Sequence, residues 1–269
     1  MTLREAIRIL SDGGVESAAY DARELFSAIC GMSRAELVSP DAESDSEALA
    51  DAIKRRAKRE PLQYIIGEVG FYRETYTVSP ACLIPRADTE LLVDYAVKHI
   101  PSGESFVDLC TGSGCVAIST LKNTRDTRAV AVDISAEALK IAEMNAERNG
   151  VSERLALMER DAAGAPVTNR CFAVLSNPPY VTEAAYRELM PEIYFEPKIA
   201  FVGGEDGLDF YKSITRVYRD VIADDGFIAF EIGYDQGAAL CEIAGALSMS
   251  AEIIKDYSGN DRVAVLKKR

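Results

Sequence analysis

Apolar positions recur at helical spacing through the first 60 residues, and a strand–helix alternation takes over from Asp88 onward. Ser17 is placed to cap a helix over Ala18–Cys30, with Gly31 as its stop. Ser33 opens a short helical turn, and Asp45 to Glu60 reads as a longer helix ended by Pro61. Residues 62–81 are rich in aromatic and β-branched side chains broken by glycine, which predicts a β-hairpin. Beyond it the pattern gives a helix at 88–99, strand 105–109, a helix from Cys115, strand 129–132, helix 136–148, strand 155–158 and strand 172–175. A helix at 209–222, strand 227–230, helix 235–247 and strands near 251–256 and 262–267 follow. Seven strands with crossover helices predict a doubly wound α/β sheet. The short turn at 257–261 makes the last two strands an antiparallel pair. The expected domains are therefore a small helical one at 1–61, a hairpin linker at 62–81 and a large α/β one at 82–269.

Composition narrows the class. Of 269 residues 48% are hydrophobic, ample for a core, and the formal net charge is −13. Neither the first 75 residues nor the rest is basic, which argues against strong nucleic-acid binding through phosphate neutralisation. The run Lys54-Arg55-Arg56-Ala57-Lys58-Arg59 reads as a solvated helix face. Six cysteines without a C-x-x-C pair, and a single histidine, His99, leave no zinc-binding spacing, so no metal is expected. Arg4, Glu5 and Arg8 interrupt the first ten residues in a way a signal peptide does not, and no apolar run reaches membrane-spanning length. A cytoplasmic protein with reduced thiols is the expectation.

Two loops carry the chemistry. Asp108-Leu-Cys-Thr-Gly-Ser-Gly leaves the first strand of the alternating region, and Gly112 and Gly114 let its backbone approach a ligand closely. Asp133 ends the next strand, 19 residues beyond Gly114, where a carboxylate accepts from two ribose hydroxyls. Gly112-x-Gly114-x-x-Ala117 also satisfies the dinucleotide fingerprint, so this loop alone does not separate NAD from S-adenosylmethionine. Asp108 before the glycines, placed to meet a cationic amino-acid group, favours the methyl donor, as does the final antiparallel pair. Asp161, after the third strand, is either an adenine contact or a surface turn.

The second loop is Asn177-Pro178-Pro179-Tyr180, at the carboxyl end of the fourth strand, the edge where open α/β sheets bind ligands. Two prolines remove backbone donors and leave carbonyl acceptors, Asn177 adds an amide and Tyr180 a flat ring. That chemistry suits a planar –NH2 whose two hydrogens are accepted, and such tetrapeptides mark methyltransferases acting on amide or exocyclic nitrogens. The rival readings are an adenine-N6 DNA methyltransferase, an NAD-dependent oxidoreductase supported only by the glycines, and a cofactor-binding protein without catalysis.

Seven blocks in order extend the picture: Arg59-Glu-Pro-Leu-Gln-Tyr-Ile-Ile-Gly, Ile84-Pro-Arg-Ala-Asp-Thr-Glu, the 108–114 loop and Asn177-Pro-Pro-Tyr come first. Glu196-Pro with Gly203-Gly-Glu-Asp-Gly-Leu, Glu231-Ile-Gly-Tyr-Asp-Gln and Tyr257-Ser-Gly-Asn-Asp-Arg-Val follow. Through them the chain resembles the N5-glutamine methyltransferases that modify peptide chain release factors. It departs from that family at Cys110, usually Gly, and at Ala87, usually Pro. The resemblance implies that S-adenosylmethionine is held by Cys110, Thr111, Gly112, Ser113, Gly114, Asp133, Asp161 and Ala162, with Asn177 beside it. It implies that Asn177, Pro178, Pro179 and Tyr180 hold the glutamine amide, with Asn177, Pro178 and Tyr180 catalytic. It also implies that the helical domain contacts the release factor, in support of translation termination. Arg86 and Thr89-Glu90 look like part of the active-site rim in such enzymes; the plain reading of the segment is an Asp88 helix cap with Arg86 in an ion pair.

Overall fold

The chain opens on a capping box: Thr2 accepts from the Glu5 N–H while the Glu5 carboxylate accepts from the Thr2 N–H, starting helix α1 (Leu3–Asp12). Leu3, Ala6 and Leu10 fall on one face and are buried. Against them pack α2 (Ala18–Cys30) and α3 (Glu47–Ala57), which contribute Leu25, Phe26, Leu49 and Ile53 to a closed apolar cluster. Gly31, with φ of 69°, ends α2 as the sequence indicated. Ser17 does not cap α2: its hydroxyl donates to the Asp21 carboxylate instead.

A fourth helix, α4 (Leu62–Ile66), occupies residues expected to be extended. Pro61 sets up its first turn and Leu62 and Tyr64 are buried, so packing overrides the strand propensity of the isoleucines. The hairpin is confined to β1 (Glu68–Phe71) and β2 (Glu74–Thr77).

The computed structural model describes residues 1–269, which form two compact units. One comprises Met1–Glu68 together with Met190–Phe195, and the other Val69–Leu189 with Glu196–Arg269. The basic run is solvated only in part: Lys54 and Lys58 are exposed, whereas the detached piece engages Arg56 and Arg59. Arg56 is only 6% exposed and donates to Asp21 and to Glu192, and Arg59 grips both oxygens of Glu192. Burial works against charge on Glu192, yet the bonds from Arg59, its own backbone and Arg56 hold its carboxyl below the ordinary range.

The larger unit is built on one seven-stranded sheet, with α5 (Glu90–His99), β3 (Ser105–Leu109), α6 (Cys115–Asn123), β4 (Arg128–Asp133), α7 (Ala136–Arg148) and β5 (Leu155–Glu159) in sequence. Then come β6 (Cys171–Ser176), the short α8 (Glu183–Tyr186), α9 (Asp209–Tyr218), β7 (Ile222–Glu231), α10 (Gly237–Ala246), β8 (Met249–Lys255) and β9 (Asp261–Lys268). The strand order is β5-β4-β3-β6-β7-β9-β8; the first five strands are parallel and β9 runs antiparallel to both its neighbours. Period-two alternation sorts the side chains. Phe106, Ala173, Leu175 and Phe227 pack toward α5, α6 and α7, while Val107, Val174, Ile228 and Phe230 pack toward α9 and α10. Every residue of β6 is buried, as befits a central strand covered on both faces. Helix α9 stops at Tyr218, short of the expected 222, because Ile222 and Ala223 already belong to β7.

Strand order reverses at β3, whose neighbours are β4 on one side and β6 on the other. Ligands of open α/β sheets sit outside the carboxyl ends of the strands at such a point. Residues 110, 133, 161 and 177 all lie there.

Candidate active site

The loop from β3 to α6 turns sharply through left-handed residues: φ is 58° at Cys110, 55° at Gly112 and 82° at Gly114. Cys110 takes a conformation glycine holds at lower cost, which is the physical content of its departure from the family pattern. The Thr111 N–H donates to Val132 O at 3.0 Å, and the Gly112 N–H to Asp133 Oδ2 at 2.8 Å. Asp133 Oδ1 accepts from the Ser135 N–H at 2.9 Å. Its carboxyl is raised by burial, opposed by the backbone N–H bonds of Ser135, Gly112 and Ile134.

Asp108 is not a ligand contact. It is 1% exposed and accepts from the Thr111 hydroxyl at 2.6 Å and the Ala117 N–H at 3.2 Å, so its carboxylate braces the loop from behind. Burial pushes its carboxyl up to about 7, with those two bonds opposing. Gly114 also acts inside the fold: a Cβ there would stand 2.9 Å from Ile118 Cδ1 and 3.2 Å from Ala142 Cβ, blocking the approach of α7.

In front of the loop lies a cleft lined by Cys110, Gly112, Asp133, Asp161, Ala162 and Pro179, with Ile134, Ile199 and Phe210 as apolar walls. Its apolar lining with a few acidic groups suits a nucleoside. A smaller recess shares Leu83, Cys110 and Gly112 with it and adds Arg86, Thr89, Thr111, Ser113 and Asn177. The Ser113 hydroxyl in that recess is buried without a partner in the chain, the kind of orphan a bound molecule satisfies. Of the residues expected to hold S-adenosylmethionine, only Gly114 lines neither cavity.

The acceptor side is assembled from three distant segments. Ser176 at the end of β6 donates to Leu109 O at 2.7 Å, tying the two loops together. Pro178 and Pro179 are buried, and their loop is clamped by glycines: a Cβ on Gly203 would lie 2.2 Å from Pro179 O, and one on Gly207 2.3 Å from Tyr180 O. Asn177 Nδ2 donates to Thr89 Oγ1 at 3.2 Å, Thr89 Oγ1 donates to Glu231 Oε2, and the Tyr180 hydroxyl donates to Glu231 Oε1 at 3.2 Å. Glu231 is 3% exposed; burial raises its carboxyl, and the two hydroxyls and Arg262 oppose that.

The rim residues divide. Arg86 is paired with the buried Glu196, which also accepts from the Ile84 N–H at 2.9 Å, fixing the strand of chain that carries Leu83 into both cavities. Asp88 does not cap α5, which follows a 3-10 turn at Ala87–Thr89; its carboxylate lies 3.4 Å from Arg262 Nη2. In the sequence, Glu231 and Glu196 stand only inside longer blocks. A carboxylate ending the apolar run Phe227–Phe230 was the signal for Glu231, because a charge in such a strand needs a partner.

Cys110 and Cys115 are thiols held far above their ordinary range by burial, and Cys82 is pushed up to about 11. His99 stacks on Tyr95 at the end of α5, with 3.9 Å between ring centroids. Neither residue type offers a nucleophile or base at the site. With the reversed β9 beside β7, that arrangement places the chain among the S-adenosylmethionine-dependent methyltransferases.

Similarity to known proteins narrows the class. Residues 2–67 match the family described as PrmC N-terminal domain, and residues 87–195 match the methyltransferase small domain. A release factor glutamine methyltransferase of Moorella thermoacetica is 36% identical over 281 residues, covering 100% of this chain and 99% of its own. One from Geobacter sulfurreducens is 38% identical, covering 94% and 91%. A ribosomal protein L11 methylase from Lactobacillus delbrueckii shares the fold alone, with a TM-score of 0.53 and 19% identity over 71% of this chain and 84% of that one. The chain belongs to the release factor glutamine methyltransferases.

Proposed function

We infer that this enzyme transfers a methyl group from S-adenosylmethionine to the side-chain amide nitrogen of the glutamine in the Gly-Gly-Gln motif of a peptide chain release factor, in the cytoplasm, in support of translation termination. The observation that carries the reading is the Asn177 amide, held by its nitrogen to Thr89 so that Oδ1 is left to accept. No helix is long and apolar enough to cross a membrane.

An amide nitrogen is a poor nucleophile because its lone pair is delocalised into the carbonyl. Asn177 Oδ1 and the Pro178 carbonyl accept the two N–H bonds of the substrate, which aims the nitrogen and favours the positive charge that develops on it. Tyr180, fixed through its hydroxyl to Glu231, offers its ring to the flat amide. Asp133 and Asp161 hold the donor's nucleoside, and the Cys110–Ser113 backbone its amino-acid end. The bound donor supplies an electrophilic methyl. The extra proton leaves to water after transfer, so no side-chain base is required; positioning contributes roughly 7–11 kcal/mol in favourable cases.

The test is incubation with labelled S-adenosylmethionine and a purified bacterial release factor, beside a Gly-Gly-Gln to Gly-Gly-Ala version. Label is expected only in the glutamine form. Equal label in both would refute the target residue, and label in duplex DNA but in neither protein would move the reading to nucleic-acid substrates.

A further inference from the structure

A carboxamide is nearly symmetric in shape, but its two ends are opposite in hydrogen bonding. If Nδ2 of Asn177 faced the substrate amide, donors would meet donors. The reaction therefore depends on which way this side chain is turned. Its own backbone does not decide the matter. An Asn ordinarily captures the N–H two residues on, but Pro178 and Pro179 have none.

We propose that Thr89 and Glu231 are positioning residues whose ordered protons turn the Asn177 amide so that Oδ1, and not Nδ2, faces the acceptor. The proposal rests on the reading that Asn177 Oδ1 accepts a substrate N–H. Thr89 is 2% exposed and its single hydroxyl proton goes to Glu231 Oε2. Its oxygen is then an acceptor toward Asn177, and Nδ2 occupies it at 3.2 Å. Glu231 sets this order by accepting at both of its oxygens. Its other oxygen takes the Tyr180 proton, and its backbone carbonyl takes the Tyr211 hydroxyl at 3.0 Å, which holds the end of β7 in place. One buried carboxylate thus fixes both functional side chains of the tetrapeptide, from positions 88 and 142 residues apart along the hydrogen-bonded relay. Buried networks of this kind are stiff only when every member is satisfied.

The experiment compares kcat, cofactor Kd by calorimetry, and melting temperature for Thr89→Val, Thr89→Ser, Asn177→Ala and the Thr89→Val/Asn177→Ala pair. Thr89→Val keeps the shape and removes the proton, and should lower kcat about 10- to 100-fold with cofactor Kd unchanged. Thr89→Ser should restore most of the loss. The pair should be no slower than Asn177→Ala alone, because Thr89 acts only through Asn177. Wild-type turnover in Thr89→Val, or losses that multiply in the pair, would overturn the proposal while a defective Asn177→Ala left the underlying reading intact. Wild-type turnover in Asn177→Ala would instead remove that reading.

A second arm remains decisive even if Thr89→Val fails to fold. Asn177→Asp puts an acceptor against the Thr89 oxygen, and adding Glu231→Gln frees the Thr89 proton for the new carboxylate, inverting the relay. The double variant should turn over faster than Asn177→Asp. A double variant no faster than the single one counts against proton order as the determinant.

Discussion

The proposed donor half and the proposed acceptor half of this site are built in opposite ways. The donor half is local: one loop of seven residues, then single acidic residues closing β4 and following β5, each fixed mostly by its own neighbours. The acceptor half is collective. Asn177, Thr89, Tyr180 and Glu231 come from three segments and share one buried carboxylate. A local half can lose one contact and keep its shape, whereas a relay loses its order when any member is removed.

The largest effect that would test this contrast belongs to the acceptor half. Asn177→Ala should lower kcat by about 10²–10³-fold, the scale of losing one preorganised transition-state contact, with cofactor affinity near wild type. If calorimetry showed the cofactor lost as well, the two halves would not be separate. A smaller effect is expected on the donor side. Asp133→Ala should weaken cofactor binding roughly 10- to 100-fold, from lost charged hydrogen bonds, while kcat at saturating cofactor stays close to wild type. Unchanged affinity would take Asp133 out of the donor half.

The smallest effect sharpens the assignment of Asp108 to bracing. Its carboxyl is pushed up to about 7 in the folded protein against an ordinary 3.8. Between those values the folded chain keeps a proton that the unfolded chain has released. The stability Asp108 adds is thus fully present below about pH 4 and is lost as pH rises through about 7. Asp108→Asn keeps an acceptor for Thr111 and Ala117 but cannot titrate. The melting temperature of wild type minus that of the variant should fall between pH 4 and 7 and level off above. A flat difference would mean that Asp108 holds no proton in the fold.

The same contrast explains what could be read in the sequence. The seven strands, the antiparallel last pair, the β3–α6 loop and the positions of Asp133 and Asn-Pro-Pro-Tyr at strand ends were legible because strand periodicity and short loops are local signals. Asp108 was assigned to the ligand because its neighbours Thr111 and Ala117 gave no sign that they would occupy it. Glu231 had no visible partner, since Thr89 lies 142 residues away. The basic run looked solvated for the same reason: Arg56 is neutralised by Asp21, 35 residues off, and by Glu192, 136 residues off. Leu62–Ile66 became a helix because burial of Leu62 and Tyr64 outweighed the propensity of two isoleucines.

The detached segment Met190–Phe195 has a consequence for the birth of the chain. Glu192, which clasps Arg59 in the helical unit, is made 133 residues later. At about 5–20 residues per second, ribosomes reach it roughly 7 to 27 s after Arg59 has been added. Through that interval Arg59 lacks its carboxylate partner, which arrives only with the Met190–Phe195 piece of the first unit. The last contacts of the first unit are thus made only after residues 177–180 have been added to the chain.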